Sequence, residues 1–218
     1  MIRKMDFDTS CYPFRELFCK LQRQYNLEGV HLLGGFENNG SVPGKDNHSD
    51  WHNKFYNNMR GSEFMNCYDE FMNIEMRHKI FNEPIVVQRY PTVRYATPNG
   101  KGVAAYHVDS DYNHPIEETN IWLPFTATFD TNTIRIESQP GKKDYIALEL
   151  NYGQYIAFPG GLLSHGNEVN QTNQTRVSID MRVIPLSKFK SRPELKGLAY
   201  GKPRTIEGPD AYYRVIAA

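Results

Sequence analysis

The chain has 218 residues, a length typical of one domain that can bury a substantial core. Its 25 lysines and arginines balance its 25 aspartates and glutamates, which argues against a nucleic-acid partner, and no apolar run approaches the roughly 20 residues that cross a bilayer. The charged N-terminal residues and three cysteines at no metal spacing favour a cytoplasmic protein with reduced thiols. Composition leaves the chemistry open.

The first part of the chain, residues 1–84, is predicted to be mainly helical. Apolar side chains recur at helical spacing over residues 14–21 and again over residues 64–71. The second run follows Ser62, whose hydroxyl can accept from the unpaired amides of a helix N-terminus. The polar, Gly- and Asn-rich stretch 34–61 between the two helices is predicted to be a long loop.

After residue 84 the hydrophobic period changes from 3.6 to 2. Short β-branched and aromatic runs follow one another without intervening helices, and turn signals separate them. This series predicts a mainly β sandwich or barrel over residues 85–186 with the helices packed outside, within a single domain of residues 1–218. Residues 187–218 show no clear hydrophobic period. The sequence leaves three structures open for this segment: an arm over the core, a cover for a partner subunit, or a loose tail. The predicted strands are Ile85–Tyr90, Thr92–Tyr95, Val103–Asp109, Thr119–Phe125, Thr133–Ser138, Ile146–Leu150, Gln154–Phe158 and Gln174–Ile184.

His107 and Asp109 are the first residues that point to chemistry. In a strand, residues i and i+2 project from the same face, so an imidazole and a carboxylate would leave side by side. His165 follows the Gly-rich bend 159–161 at the end of a later predicted strand. Two histidines and one carboxylate on a β scaffold form the facial triad of non-haem Fe(II) sites, which leaves three coordination positions open.

The predicted strand that contains residues 176–183 has one polar and one apolar face. The residues at alternate positions, Arg176, Ser178, Asp180 and Arg182, share the polar face, and Val177, Ile179, Met181 and Val183 form the apolar face. The polar face could meet water, or it could line the interior if the helices cover the apolar face. In the second arrangement Arg176 offers a planar fork and Ser178 a hydroxyl to one carboxylate of a small dicarboxylate.

Together these residues resemble the Fe(II)/2-oxoglutarate-dependent oxygenases with a double-stranded β-helix fold. The family pattern is H-x-D, a distal histidine, and Arg-x-Ser about ten residues later, and here the arginine follows the histidine by eleven residues. Further segments resemble the phytanoyl-CoA-hydroxylase-like branch and, more narrowly, small-molecule hydroxylases of streptomycin-type antibiotic clusters. The resemblance covers about residues 85–186 and departs at Gln154, where many relatives have aspartate. The matching residues are His107, Asp109, His165, Arg176 and Ser178, and the further segments are Asn120–Phe125, Arg135–Gly141 and Gly153–Phe158.

The resemblance implies a jelly-roll or cupin-like core that binds Fe(II) through His107, Asp109 and His165, with 2-oxoglutarate and O2 as cosubstrates. It implies that the C1 carboxylate and keto oxygen of 2-oxoglutarate bind the iron, while its C5 carboxylate meets Arg176 and Ser178. The amide of Asn120 is expected to contact the cosubstrate. Halogenating relatives lack the ligand carboxylate, so Asp109 favours hydroxylation, with desaturation, ring closure and epimerisation left open.

The polar interior face and the neutral composition favour a small polar substrate in a biosynthetic pathway, such as an amino acid, sugar, cyclitol or nucleoside derivative. No membrane or nucleic-acid partner is expected, and a homodimer is left open. Strand alternation and the loop after Asp109 supply the candidate substrate contacts. These are Arg94, Tyr95, Tyr112, Arg135 and Arg182.

Two other classes of function fit parts of the pattern. A cupin-like metal isomerase or lyase would use the same metal ligands, but it has no need of a dicarboxylate anchor at Arg176. A non-catalytic ligand-binding β-sandwich would have the histidines and the aspartate satisfy one another. His114 is predicted to be a substrate contact or a surface residue rather than a ligand, and His48 and His52 are predicted to be surface residues because no glutamate separates them.

Overall fold

Three α-helices cover one face of a seven-stranded antiparallel sheet in the computed structural model, which describes residues 1–36, 49–100, 105–197 and 201–217. None of the helices in these ranges is long and apolar enough to cross a membrane. The helices are α1 (Phe14–Gln22), α2 (Asp50–Asn58) and α3 (Glu63–Phe71), which continues as a π-helix over Met72–Phe81, and short 3-10 turns lie at Val30–Leu33, Asp109–Tyr112, Asp130–Asn132 and Leu186–Lys188.

Twelve short strands are present in the described ranges. They are β1 (Arg3–Asp6), β2 (Ile85–Gln88), β3 (Thr92–Ala96), β4 (Thr119–Pro124), β5 (Ile134–Ile136), β6 (Ile146–Ala147), β7 (Gln154–Phe158), β8 (His165–Asn167), β9 (Arg176–Pro185), β10 (Arg192–Lys196), β11 (Pro203–Arg204) and β12 (Tyr213–Ile216).

The large sheet has the strand order β1-β7-β4-β9-β2-β12, and β3 also pairs with β9. β2 and β3 follow one another along the same edge of β9, which is the longest strand and lies near the middle of the sheet. A small sheet of order β6-β5-β8 and a β10-β11 hairpin complete the strands. An isolated bridge between His107 and His165 ties the segment before the Asp109 turn to β8.

The two faces of the large sheet bury different sets of side chains. The helix face carries an aromatic core in which Val177, Ile179 and Met181 of β9 pack with residues of α1, α2 and α3. The other face meets the small sheet, and Trp122 and Phe158 pack there with apolar residues of β5. Of the two arrangements that the sequence left open for the 176–183 strand, the structure has the second: the helices cover its apolar face, and its polar face lies inward.

The sequence predicted α1 and α3 but not α2. The prediction of a long loop over residues 34–61 is wrong for Asp50–Asn58, which form α2. Ser49 caps α2 in a capping box: its hydroxyl accepts from the amide of His52, and the main-chain amide of Ser49 donates to the His52 ring. Few apolar residues mark this helix, although Phe55 is fully buried. His52 is also fully buried, so its predicted surface position is wrong, and His48 lies outside the described residues.

The large sheet extends beyond the predicted β region 85–186. β1 pairs with β7 near the N-terminus, and β12 pairs with β2, so part of the unplaced segment 187–218 is a sheet strand. Each of these strands has only four residues, too few to show a clear period of two. Residues 103–104 of the predicted strand Val103–Asp109 lie outside the described ranges, and its described end forms only the bridge at His107 before the turn begins.

Phe18 should be a main contributor to stability, because its buried ring meets rings from two other helices and from Phe125, the residue that follows β4. The centroid of this ring lies 5.4 Å from Phe55, 6.3 Å from Phe64 and 4.9 Å from Phe125. We expect Phe18→Ala to lower the free energy of unfolding by about 3–5 kcal/mol in a urea titration followed by circular dichroism. Tyr25→Ala, at a side chain 71% exposed, should change it by less than about 0.5 kcal/mol, and equal losses would contradict this assignment of the core.

Candidate functional site

Three side chains of the described residues form a group that could hold a metal ion: His107, Asp109 and His165. Asp109 Oδ1 lies 3.4 Å from His107 Nε2 and 3.5 Å from His165 Nε2, and the candidate ligand atoms all lie within 4.8 Å of one another. His165 begins β8, His107 pairs with it across the bridge, and Asp109 opens the turn that follows. The fold thus brings together the three residues that the sequence singled out.

Each histidine is oriented by a main-chain carbonyl. Nδ1 of His107 lies 3.1 Å from the oxygen of Ala105, and Nδ1 of His165 lies 2.9 Å from the oxygen of Leu163. Because a carbonyl oxygen only accepts, Nδ1 of each ring carries a proton. Both imidazoles therefore turn Nε2, the nitrogen that a metal would bind, to the oxygen of Asp109.

The Asp109 carboxylate turns one oxygen to the histidines because two donors hold the other. Oδ2 accepts from Asn120 Nδ2 at 2.7 Å and from Arg182 Nη2 at 3.0 Å. Burial would raise the pKa of this carboxyl, but Arg182 and His165 outweigh burial and hold the pKa well below its usual range. Asp109 is therefore an ionised group arranged to bind a metal through Oδ1 alone.

The Gly-rich bend before His165 leaves room for this arrangement. The main-chain amide of Asp109 donates to the oxygen of Gly160 at 2.9 Å, so the two segments lie against each other. A Cβ atom at Gly160 would lie 2.2 Å from Asn120 Nδ2, a distance that no side chain tolerates. The glycine thus allows Asn120 to reach the Asp109 carboxylate.

Arg182 is itself held by a buried network that reaches the C-terminal strand β12. Its Nε lies 3.4 Å from Oε2 of Glu118, which is almost completely buried. Glu118 also accepts from the hydroxyl of Tyr213 on β12 and from Nδ1 of His114 at 2.8 Å. Burial lowers the pKa of His114, which favours the neutral ring as a donor. His114 therefore belongs to this network and not to the metal group.

Arg176 lies at the opposite end of β9 from Arg182. Its Nη1 donates to the main-chain oxygen of Asn132 at 2.8 Å and to Asn167 Oδ1 at 2.7 Å, and its guanidinium carbon lies 5.4 Å from the centre of the Trp122 ring. Ser178 Oγ, on the same face of β9, is buried and has no hydrogen-bond partner in the described ranges. This end of the strand therefore offers a fixed guanidinium and an unsatisfied hydroxyl.

The metal group and the polar face of β9 line one cavity between the two sheets, of about 50 Å³. Of the predicted substrate contacts, Arg94 and Arg182 line it, and Arg94 forms an ion pair with Asp180 at 2.7 Å. The Tyr112 ring lies 5.0 Å from the His107 ring, and 39% of Tyr112 is exposed. Arg182 and Tyr112 therefore contact residues of the metal group, and Arg94 lines the same cavity.

Tyr95 and Arg135 are not among the described residues that line this cavity. Tyr95 alternates with Arg94 along β3, so it points to the helices, where its ring lies 4.9 Å from the His52 ring. The prediction that Tyr95 contacts substrate is therefore wrong. Arg135 forms an ion pair with Glu168 at 3.1 Å, and the structure does not bring it to the metal group.

Sequence reasoning missed three residues that position the site: Glu118, Asn132 and Asn167. Asn167 shares a face of β8 with His165, so the spacing of two residues could have identified it. Asn132 acts through its main-chain oxygen in a turn, and Glu118 precedes β4 in a loop. Side chains in such segments follow no period, and no signal in the sequence marked them.

Comparisons with known proteins agree with the fold. No family model matches the chain. It is 28% identical over 203 residues to the streptomycin biosynthesis protein StrG of Streptomyces griseus, and the match covers 92% of each chain. The crystal structure of EctD from S. alaskensis with 2-oxoglutarate and 5-hydroxyectoine matches with a TM-score of 0.62 at 12% identity, over 100% of this chain and 83% of EctD.

The chain therefore has the fold of EctD, and the predicted jelly-roll core is confirmed. The resemblance to oxygenases with this core is confirmed at the level of the fold, and the resemblance to a streptomycin-type biosynthetic protein is confirmed at the level of sequence. The narrower resemblance to the phytanoyl-CoA-hydroxylase-like branch stays a prediction.

Tyr213→Phe should destabilise the protein, because it leaves Oε1 of the buried Glu118 without its donor. Burial raises the pKa of Tyr213 well above its ordinary value, so its hydroxyl stays protonated and donates. We expect a loss of about 1–3 kcal/mol in the free energy of unfolding, measured by urea titration. Tyr155→Phe is the matched control, since its buried hydroxyl has no partner among the described residues, and its loss should be small. Equal effects of the two variants would argue against the network.

Proposed function

We propose that the protein is an Fe(II)- and 2-oxoglutarate-dependent dioxygenase that hydroxylates an unactivated C–H bond of a small polar metabolite. One cavity carries this proposal: the metal group lines it together with Arg176 on the polar face of β9. Ser178 lies on the same face of the strand but is not among the described residues that line the cavity. The fold shared with EctD, a structure with 2-oxoglutarate, supports it.

The donor set fits Fe(II). Two neutral imidazole nitrogens and one carboxylate oxygen are the ligands of non-haem Fe(II) oxygenases, and a site of this kind leaves three positions for cosubstrate and O2. Asp109 offers a single oxygen because Asn120 and Arg182 hold the other, so the carboxylate would occupy one position rather than two. A third protein ligand in that position also favours hydroxylation over halogenation.

The Arg176 end of the face fits the distal carboxylate of 2-oxoglutarate. Arg176 is only 2% exposed and is held in a fixed direction by Asn132 and Asn167. Its side chain would therefore lose little conformational entropy when a carboxylate binds. The buried, unpartnered hydroxyl of Ser178 would gain an acceptor when a carboxylate binds. Asn120 Oδ1 is also buried without a partner in the described ranges, and contact of this residue with the cosubstrate stays a prediction.

When bound, Fe(II) and 2-oxoglutarate would activate O2, which oxidises the C–H bond while 2-oxoglutarate is converted to succinate and CO2. His107, Asp109 and His165 would hold the metal, and Arg182 keeps Asp109 ionised. Arg176 and Ser178 orient the cosubstrate. Trp122 and Phe158 and their neighbours, buried between the sheets, exclude water from the cavity that the reactants share.

The similarity to StrG supports a role in the biosynthesis of a small polar metabolite. The lining of the cavity agrees with a polar substrate, because Arg94, Asp180 and Arg182 face it beside the metal group. The cytoplasmic location and a homodimer stay predictions.

Purified protein loaded with Fe(II) and 2-oxoglutarate without oxygen should show a visible metal-to-ligand charge-transfer band, because the cosubstrate would chelate the metal. His107→Ala and Asp109→Ala should lose the band and the metal affinity, since each removes one of three ligands. His78→Ala, at an exposed histidine of the π-helix, should keep both. The proposal fails if wild-type protein shows no band and forms no succinate when O2 is admitted.

Arg176→Ala should leave metal affinity intact and raise the KM for 2-oxoglutarate. Loss of a buried charge-assisted contact to a carboxylate costs about 2–5 kcal/mol, so the increase should be at least about 30-fold. Succinate release as a function of 2-oxoglutarate concentration measures it. Arg3→Ala, at an exposed arginine of β1, is the control and should not change the KM. An unchanged KM in Arg176→Ala would show that the anchor lies elsewhere.

A further inference from the structure

A second cavity, of about 480 Å³, lies beside the metal-site cavity. Three parts of the chain line it: the end of α2 with Tyr56 and Arg60, residues 88–92 between β2 and β3, and residues 209–212 with Lys202 in the C-terminal segment. Its volume is within the range of about 300–1,000 Å³ typical of small-molecule sites. The space at the metal group is about 50 Å³, so the second cavity offers the room that a ligand body needs.

One side chain separates this cavity from the metal group. Gln88 and Tyr212 line the cavity, and both accept from Arg182 Nη1, at 3.3 and 3.5 Å. The same guanidinium donates through Nη2 to Asp109 Oδ2. The wall of the second cavity therefore contacts the residue that orients the metal ligand.

The cavity lies where the edge of the large sheet is interrupted. β2 and β3 both pair with β9, but residues 89–91 leave the ladder, and β12 pairs with β2 alone. Thr92, which begins β3 and lines the second cavity, stands opposite Asp180, which lines the metal-site cavity. The linings of the two cavities therefore meet at the pair Thr92 and Asp180 as well as at Arg182.

The lining of the cavity is cationic, although the whole chain is neutral. Three cations line it, Arg60, Arg89 and Lys202, and Asp210 is the one carboxylate among its described lining residues. Asp210 pairs with Lys202 at 2.8 Å. Arg89 donates to main-chain oxygens, of which that of Ala211 lies at 3.1 Å, and such bonds fix a guanidinium without neutralising it. Arg60 lies over the Tyr90 ring, 5.0 Å from its centre.

We propose that this cavity binds the oxyanion of the substrate, a phosphate ester or a carboxylate, and that Arg60 and Arg89 recognise it. A guanidinium matches either anion through paired N–H donors. The rings of Tyr56, Tyr90 and Tyr212 provide apolar faces for the substrate body. That the bound anion belongs to the substrate rests on the proposed function. That the cavity binds an anion does not depend on it.

Binding can be measured without metal, by calorimetric titration of the full chain at low ionic strength with inorganic phosphate and, separately, with acetate. Amide shifts of ¹⁵N-labelled protein locate the site, and we expect them at residues 60, 88–92 and 202–212. Arg60→Ala should weaken binding by about tenfold, the loss of one charge-assisted contact, and Arg60→Lys should restore part of it. Arg60 is exposed, so these variants should fold, and Arg3→Ala is the matched control.

The anion that binds more tightly distinguishes a phosphate ester from a carboxylate. The proposal is overturned if neither anion binds saturably, if Arg60→Ala and Arg3→Ala bind equally well, or if the shifts fall instead on β8 and β9 around Arg176.

The loaded enzyme tests the assignment of the anion as substrate. Succinate release should be faster with a sugar phosphate or sugar acid than with its neutral parent sugar, and Arg60→Ala should remove most of this preference. Faster turnover of the neutral parent would overturn the assignment. If the anions bind at Arg60 but the loaded protein shows no charge-transfer band and forms no succinate, the oxygenase proposal fails and the anion site stands.

Discussion

One buried contact connects the candidate metal group to the rest of the molecule: the ion pair between Arg182 and Oδ2 of Asp109. A buried carboxylate without a partner costs several kcal/mol, so the site exists only because this charge is compensated. Asn120, the second donor to Oδ2, stands directly opposite Arg182 in the pairing of β4 with β9. The register of two central strands therefore sets the direction in which Asp109 presents its other oxygen.

The central strand β9 serves both layers of the protein. Its apolar residues hold the helices, and its polar residues carry the arginines at the two ends of the proposed cosubstrate path. The two roles are coupled because side chains alternate along the strand: a shift of one residue in the pairing register of β9 would turn its polar side chains to the helices and its apolar side chains to the cavity. Groups far away in sequence complete the site: Glu118 lies beside Arg182, and Tyr213 of β12 holds Glu118. The metal group thus depends on both edges of β9.

Most strands of the core could be predicted from the sequence, because their apolar residues alternate with a period of two. The metal group could be predicted from the spacing of its residues. The faces of β9 follow strict alternation. The spacing of two identified His107 and Asp109, although Asp109 opens a 3-10 turn and does not continue a strand. The helix α2 could not be predicted, because its stability comes from a cap at Ser49 and one buried ring, that of Phe55, rather than from an apolar stripe. Glu118 could not be predicted either, since its partners lie far away in sequence.

The residues that complete the charge compensation of Asp109 appear late in chain order. During synthesis His107 and Asp109 are added to the chain well before Arg182. Tyr213, which donates to Glu118, is added later still. A nascent chain therefore carries both early ligands while neither the central strand nor the last strand of the large sheet is available to it. The charge compensation of Asp109 is therefore complete only after the last strand of the large sheet has been synthesised.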